Sequence, residues 1–152
     1  MVTVNSATIS QNIWKNFYDR LKSNVTSVSI TGSSPTVSIQ TYTAAYSDEM
    51  LDAKSNYPIL IVNEPELPTD NLTFRDTNTS GTITIEVFTN QSESATKFKD
   101  KIRLAIEGYK STFDSVGIHN VKITDEDSDM EERGKIKIHI RRVTFSFEHD
   151  YT

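Results

Sequence analysis

The densest group of side chains that could do chemistry lies between positions 125 and 132. It holds six carboxylates: Asp125, Glu126, Asp127, Asp129, Glu131 and Glu132. The alternating aspartates resemble the opening of a calcium loop, but such a loop also needs Gly at its sixth position and Glu at its twelfth. Met130 and Ile136 occupy those positions here. The pattern therefore argues against calcium. It leaves two interpretations, a solvated hairpin loop or a negatively charged functional surface such as a pore lining.

Basic and imidazole side chains are the next candidates for chemistry. No pair among the three histidines has the helical spacing of metal ligands: His119, His139 and His149. His139 stands between Lys137 and Arg141, and we expect a solvated or interface residue there, not a general acid. Arg141 and Arg142 are adjacent, and arginine is favoured at protein interfaces for its planar, bidentate geometry. We predict a subunit interface at His139, Arg141 and Arg142. The alternative is a charged strand that guards a sheet edge against aggregation.

Motifs for other kinds of chemistry are missing from the sequence. There is no cysteine, no G-x-S-x-G elbow, no P-loop and no G-x-G-x-x-G. Four carboxylates fall in one irregular, proline-containing region, where we expect them to keep a loop soluble: Glu64, Glu66, Asp70 and Asp76. The sequence therefore predicts a protein that is not an enzyme and has neither a metal site nor a cofactor.

Composition narrows the class of partner. The chain has 152 residues, 36% of them hydrophobic, and a net charge of -5 with a pI near 5.2. This length fits one domain with its own core. Duplex DNA binding usually needs a basic patch, and no basic cluster is present, so we expect no specific nucleic-acid binding. No apolar run approaches the ~20 residues of a membrane helix, and residues 1–10 do not resemble a signal peptide.

Hydrophobic periodicity predicts the elements that must position these residues. We expect an amphipathic helix over 8–23 with Trp14 in the core, and a hairpin that pairs 28–30 with 37–39. A helical turn over 47–54 and a strand over 57–62, buried on both faces, follow. A second hairpin joins 72–74 to a strand over 81–88. A long helix over 92–116, capped by Asn90 and ended by Gly117, should cover the sheet. The segregation of helices and strands predicts an α+β fold with a mostly antiparallel sheet.

The final hairpin begins at Val121 and has a long second strand. Its apolar residues alternate up to Ile140 and then resume, one residue out of phase, at Val143. A one-residue shift moves every later side chain to the other face of a sheet. We therefore predict a β-bulge or sharp bend at Arg141–Arg142, which would return the apolar side chains to one face.

Four segments resemble the tail terminator and tail-completion proteins of tailed bacteriophages. They are the N-terminal helix with Ile13, Trp14 and Phe17, the 57–62 strand leading into Glu64-Pro65, residues 81–87 followed by the long helix, and the final strand ending in 144–148. The resemblance implies a structural virion subunit that closes into a ring, typically a hexamer, at the head-proximal end of the tail. It implies no catalytic residues and assembly in the host cytoplasm. The implied partners are the tail tube and neck connector, with the sheath as a further candidate.

In such a ring the acidic stretch would line or rim a channel through which DNA passes without sticking. Three other functions stay open on the sequence. The chain could be another neck, tail-completion or tube subunit of the same assembly. It could be an unrelated module that binds a partner by adding a strand to its sheet edge. It could also be a small enzyme whose pocket the sequence does not reveal.

Overall fold

The computed structural model describes residues 9–30, 32, 38–40, 57–67 and 78–150. Three helices occur in this part of the chain: α1 (Ile9–Asn24), α2 (Ser92–Glu107) and α3 (Lys110–Ser115). Five strands form one sheet: β1 (Ser38–Gln40), β2 (Ile59–Val62), β3 (Asn78–Thr89), β4 (Ile118–Arg133) and β5 (Ile136–Asp150). The strand order is β1-β2-β3-β5-β4, and β1 and β2 are the one parallel pair among the described strands. The predicted α+β architecture is confirmed.

One face of the sheet, called here the helix face, packs against α1 and α2. The predicted stripe of α1 is fully buried at Ile13, Phe17 and Leu21. The Phe17 ring lies 4.8 Å from the Phe113 ring and 6.0 Å from the Phe147 ring, measured between centroids. Burying one such side chain stabilises a fold by about 1.5–3 kcal/mol. Through these ring contacts Phe17 connects α1 to α3 and to β5.

Trp14 lies at the edge of this core and carries a polar group, the indole N–H. It is half-buried, stacks on Tyr18 with centroids 4.5 Å apart, and packs against the helix-face core. Its Nε1–H donates a hydrogen bond of 2.7 Å to the Val62 carbonyl. An indole offers one donor, which needs a partner when the ring leaves water. Trp14 therefore fixes where α1 meets the end of β2.

The opposite face of the sheet carries a second apolar cluster, consisting of Tyr57, Ile59, Ile61, Phe88, Ile138 and Ile140. Strand β2 contributes to both clusters, because Leu60 and Val62 belong to the helix-face core and the alternate residues to this one. All four of its residues are buried. The prediction of a strand buried on both faces is confirmed. Successive side chains of a strand point to opposite faces, so a strand that is buried on both faces needs an apolar residue at every position.

The second cluster corrects the predicted bulge. The β3–β5 register is unbroken through Arg141 and Arg142, which pair with Val87 and Glu86. Ile140 lies in the cluster on the opposite face, whereas Val143 lies in the helix-face core. The change of phase thus moves the apolar side chains from one buried face to the other, and no extra residue is needed. Register shifts do occur, but in β4, between His119 and Lys122 and between Ile123 and Asp125.

The predicted helix over 92–116 is wrong as a single element, because it breaks between α2 and α3. At the break the Tyr109 N–H bonds to the Ile106 carbonyl at 3.1 Å instead of to Ala105. Arg20 explains this change: its Nε–H donates to the Ala105 carbonyl at 2.8 Å, and its guanidinium lies 4.4 Å from the Tyr109 ring centre. Gly108, with a helix cost of about 1 kcal/mol relative to alanine, weakens the helix at the same point.

The start of α2 differs from the prediction, whereas the end of α3 agrees with it. The residue in the cap position before α2 is Gln91, with extended backbone, and not Asn90. The Ser94 hydroxyl donates to the Gln91 carbonyl at 2.9 Å. Gly117 follows the end of α3 with a φ of 86°, so the predicted glycine stop is confirmed. A positive φ costs glycine little because it has no Cβ.

The first predicted hairpin lies partly outside the described residues, which omit 31 and 33–37. Val28 is buried in the helix-face core, but 28–30 form no strand. Residues 38–40 instead form β1, which pairs in parallel with β2. The predicted helical turn over 47–54 and the segment 72–74 lie outside the described residues.

Candidate interaction surface

Strand β4 is the last of the described strands at one side of the sheet and carries the acidic stretch. The expected hairpin loop over 125–132 is wrong, because these residues are part of β4 and pair with β5 from Asp125 opposite Thr144 to Arg133 opposite Ile136. The connection is a tight turn at Gly134-Lys135, where Gly134 has a φ of 60°. Backbone pairing with a long partner strand overrides the poor strand propensity of aspartate and glutamate. Residues 124–132 are all exposed.

Strand alternation divides the six carboxylates between the two faces. Four share the side of Arg142: Asp125, Asp127, Asp129 and Glu131. The other two, Glu126 and Glu132, point to the helix side. Glu126 there forms an ion pair of 3.2 Å with Arg103 of α2. The acidic stretch is therefore a charged edge with two sides, not one continuous patch.

Arg142 links this edge to the middle of the sheet. Its Nε lies 3.1 Å from an oxygen of Glu86 on β3, and its Nη1 lies 3.1 Å from an oxygen of Asp127 on β4. Asp129 is more distant, at 3.9 Å from Nη1. The guanidinium thus spans three adjacent strands, β3, β5 and β4. It fixes the edge strand through side chains in addition to the backbone ladder.

Glu86 is the buried member of this network. It is 8% exposed, and its second oxygen accepts a hydrogen bond of 2.7 Å from the Asn63 amide. A buried carboxylate is tolerated when it is paired and hydrogen-bonded, as it is here. Desolvation works to lower the pKa of Arg142, but the charge of Glu86 and the hydrogen bonds that the guanidinium donates to Glu86 and Asp127 outweigh it and raise the pKa above its ordinary value. The arginine is therefore a permanent cation.

The structure separates the three residues predicted for a subunit interface. Arg141 and Arg142 point to opposite faces, since they are neighbours in a strand. Arg141 is half-buried and donates to the Ile140 carbonyl at 3.0 Å. His139 is half-buried, between Thr89 of β3 and Met130 of β4 in the ladder. Arg142 is occupied within its own subunit. The predicted interface stays a prediction, and the two arginines cannot act as one fork.

Sequence reasoning missed Glu86 and Asn63. Alternation along β3 puts Glu86 on the same side as Thr82 and Thr84, and the Thr84 hydroxyl meets that of Thr144 at 3.0 Å on this side. The charged residue within an alternating strand was the available signal, because such a residue needs a partner. Its partner Arg142 is 56 positions away, and no local spacing connects them.

The other predicted candidates lie elsewhere. His119 contacts Asp114 at 2.9 Å, and His149 is buried. Glu64 and Glu66 are exposed and border an open groove of about 490 Å³, whose remaining lining residues are Asn63, Pro65, Thr82, Thr84 and Glu86. Asp70 and Asp76 lie outside the described residues. Within the described part of the chain, no group of three or more His, Cys, Asp or Glu residues is placed to hold a metal ion.

A search for membrane segments found no helix among the described residues with the length and apolar character needed to span a bilayer. Comparison with protein-family models gave no match. Comparison with curated proteins also gave no significant match.

Proposed function

We propose that this chain is a structural virion protein, a tail terminator that forms a ring at the head-proximal end of a phage tail and joins the tail to the neck. The observation that carries the proposal is the edge strand β4, 16 residues long, exposed along its acidic half and paired on one side only among the described strands. Edge strands of this length are normally shortened, covered or used, because they pair readily with other chains. A subunit that works by contact with neighbours has a use for such an edge.

The arrangement of charges supports a role in assembly. Arg142 holds the acidic strand against the sheet through Glu86 and Asp127, so the exposed carboxylates are fixed in position. In a ring these carboxylates would line the channel or stand at its rim. A negative channel wall repels DNA, so that DNA slides through it without binding. Replacing the six acids by Ser or Asn should then change infectivity or the retention of packaged DNA, and no effect on either would end this part of the proposal.

The partners in this assembly would be further copies of the chain, the tail tube and the neck connector, with the sheath included if the tail contracts. Electron microscopy of particles that carry a tagged chain tests the location. We expect label at the junction of tail and head. Label along the whole tail would instead identify a tube subunit, and unlabelled particles would refute a virion role.

The same edge also favours a second candidate function, a binding module to which a partner adds one strand. Light scattering after size-exclusion chromatography separates the two functions. A discrete ring supports the tail protein, whereas a monomer that binds one extended peptide supports the module.

A further inference from the structure

The open edge of β4 has a complement within the same chain. At the hairpin tip, Lys135 and Lys137 are both exposed, and neither makes an ion pair with another described residue. The tip also extends past the sheet, because the β3–β5 ladder ends at the pair Thr89–His139. We propose that the hairpin tip of one copy binds the acidic edge of β4 in a second copy, in a head-to-tail contact. This inference rests on the assembly proposed above and names the surfaces that make it.

Charge decides between this contact and simple edge-to-edge pairing. If two copies paired their β4 edges about a two-fold axis, acidic residues between 125 and 132 would face acidic residues. Like charges directly opposite each other destabilise a strand pair. A tip with two exposed lysines reverses the sign of the interaction. Met130, which is 56% exposed within the acidic stretch, adds apolar surface that the contact can bury.

The contact has a consequence for the form of the assembly. Tip and edge are different surfaces, so the interface is heterologous, and a heterologous interface gives a ring if its rotation closes. It also places the acidic strand between neighbouring subunits. A strand held between subunits does not face the channel, so the contact argues against the channel wall as the position of the acidic stretch.

Sedimentation velocity of the full chain at low salt tests the contact, since screening is weak there, with a Debye length of about 30 Å at 0.01 M. The tip variant is Lys135→Glu/Lys137→Glu, and the edge variant is Asp125→Lys/Glu132→Lys. All four residues are exposed, and no ion pair joins any of them to another described residue. Because Glu132 and Lys137 are opposite each other in the β4–β5 ladder, each variant also places like charges across its own hairpin, so both must first show a urea midpoint close to that of the unchanged chain. A matched control, Lys15→Glu/Lys110→Glu, changes the net charge as much as the tip variant does but acts on the helical layer.

We expect each variant alone to self-associate about tenfold or more weakly than the unchanged chain. The tip variant gives tip and edge the same sign, and the edge variant leaves only four of the six carboxylates on the edge and adds two cations to it. An equimolar mixture of the two variants should recover association in pairs, since the unchanged tip of the edge variant meets the unchanged edge of the tip variant. The control should associate like the unchanged chain.

The proposal is overturned if the unchanged chain stays monomeric, if the mixture fails to recover association, or if the control is as weak as the tip variant. The tagged-particle experiment fails independently of this one. Recovery in the mixture together with unlabelled particles would keep the contact and reject the phage assignment.

Discussion

Removing the cation from the three-strand network should cost much more than removing an ordinary surface charge. In Arg142→Met, Glu86 keeps the Asn63 hydrogen bond but loses its charged partner while remaining 8% exposed. Breaking a buried ion pair costs about 3–5 kcal/mol, whereas exposed pairs contribute about 0–1 kcal/mol. The Arg142 side chain is 29% exposed. We therefore expect a loss between these limits, about 2–3 kcal/mol in the free energy of unfolding.

Urea unfolding followed by circular dichroism measures this loss directly. In thermal unfolding of a chain of this size, a loss of about 1 kcal/mol in unfolding free energy lowers the melting midpoint by roughly 2–4 °C. The melting midpoint of Arg142→Met should therefore fall by about 4–12 °C. Arg133→Met is the matched control. Its partner Glu131 is 3.0 Å away but 45% exposed, so the control should lose less than about 1 kcal/mol.

A double variant identifies the cause. Glu86→Gln keeps the shape of the side chain and removes its charge, so Arg142→Met/Glu86→Gln should recover most of what Arg142→Met loses. The reasoning is refuted if Arg142→Met and Arg133→Met lose the same amount. It is equally refuted if adding Glu86→Gln to Arg142→Met recovers no stability, because the loss would then come from packing of the arginine stem.

Three further predictions concern the same fold. The raised pKa of Arg142 means that its charge stabilises the fold fully at every pH below the ordinary, unfolded-state pKa of arginine, so the unchanged chain should show no loss from this group between pH 7 and 10. Arg142→Lys should lose stability as pH rises through about 10–11, the range where lysine deprotonates, in pH-dependent urea unfolding. Gly81→Ala should lower the free energy of unfolding by about 1–3 kcal/mol in thermal unfolding, because the new Cβ would lie 2.8 Å from the Glu66 carbonyl oxygen and 2.7 Å from a Leu67 methyl. Ser80→Ala, at an exposed position beside it, is the control and should be near neutral in the same experiment. Phe17→Ala should cost about 3–5 kcal/mol in urea unfolding, and an unchanged midpoint would contradict the central place of this ring in the core.

Short-range sequence patterns were sufficient to predict the helices and strands whose apolar residues are regularly spaced. The stripe of α1 at Ile13, Phe17 and Leu21 and the doubly buried run of β2 follow from periodicity alone. The glycine stop after α3 and the long C-terminal hairpin were also correctly predicted. In each of these cases one short-range rule, side-chain spacing or backbone freedom, determines the outcome.

Local pattern failed where a distant residue completes the structure. The helix break at Gly108 depends on Arg20, which lies 85 positions from the carbonyl that it binds. The predicted bulge at Arg141–Arg142 assumed one apolar face, and only the assembled sheet shows that Ile140 and Val143 belong to different cores.

The acidic stretch illustrates the same division for the candidate site. Its composition and net charge could be read directly from the sequence, as could the absence of cysteine and of phosphate-binding motifs. Its conformation could not, because carboxylates disfavour strands and only the β5 ladder holds them in one. The sequence by itself determined which charges exist. Tertiary structure decided which of them are paired inside the subunit and which are left exposed, because ion pairs such as Glu86–Arg142 form between strands that meet only in the folded sheet.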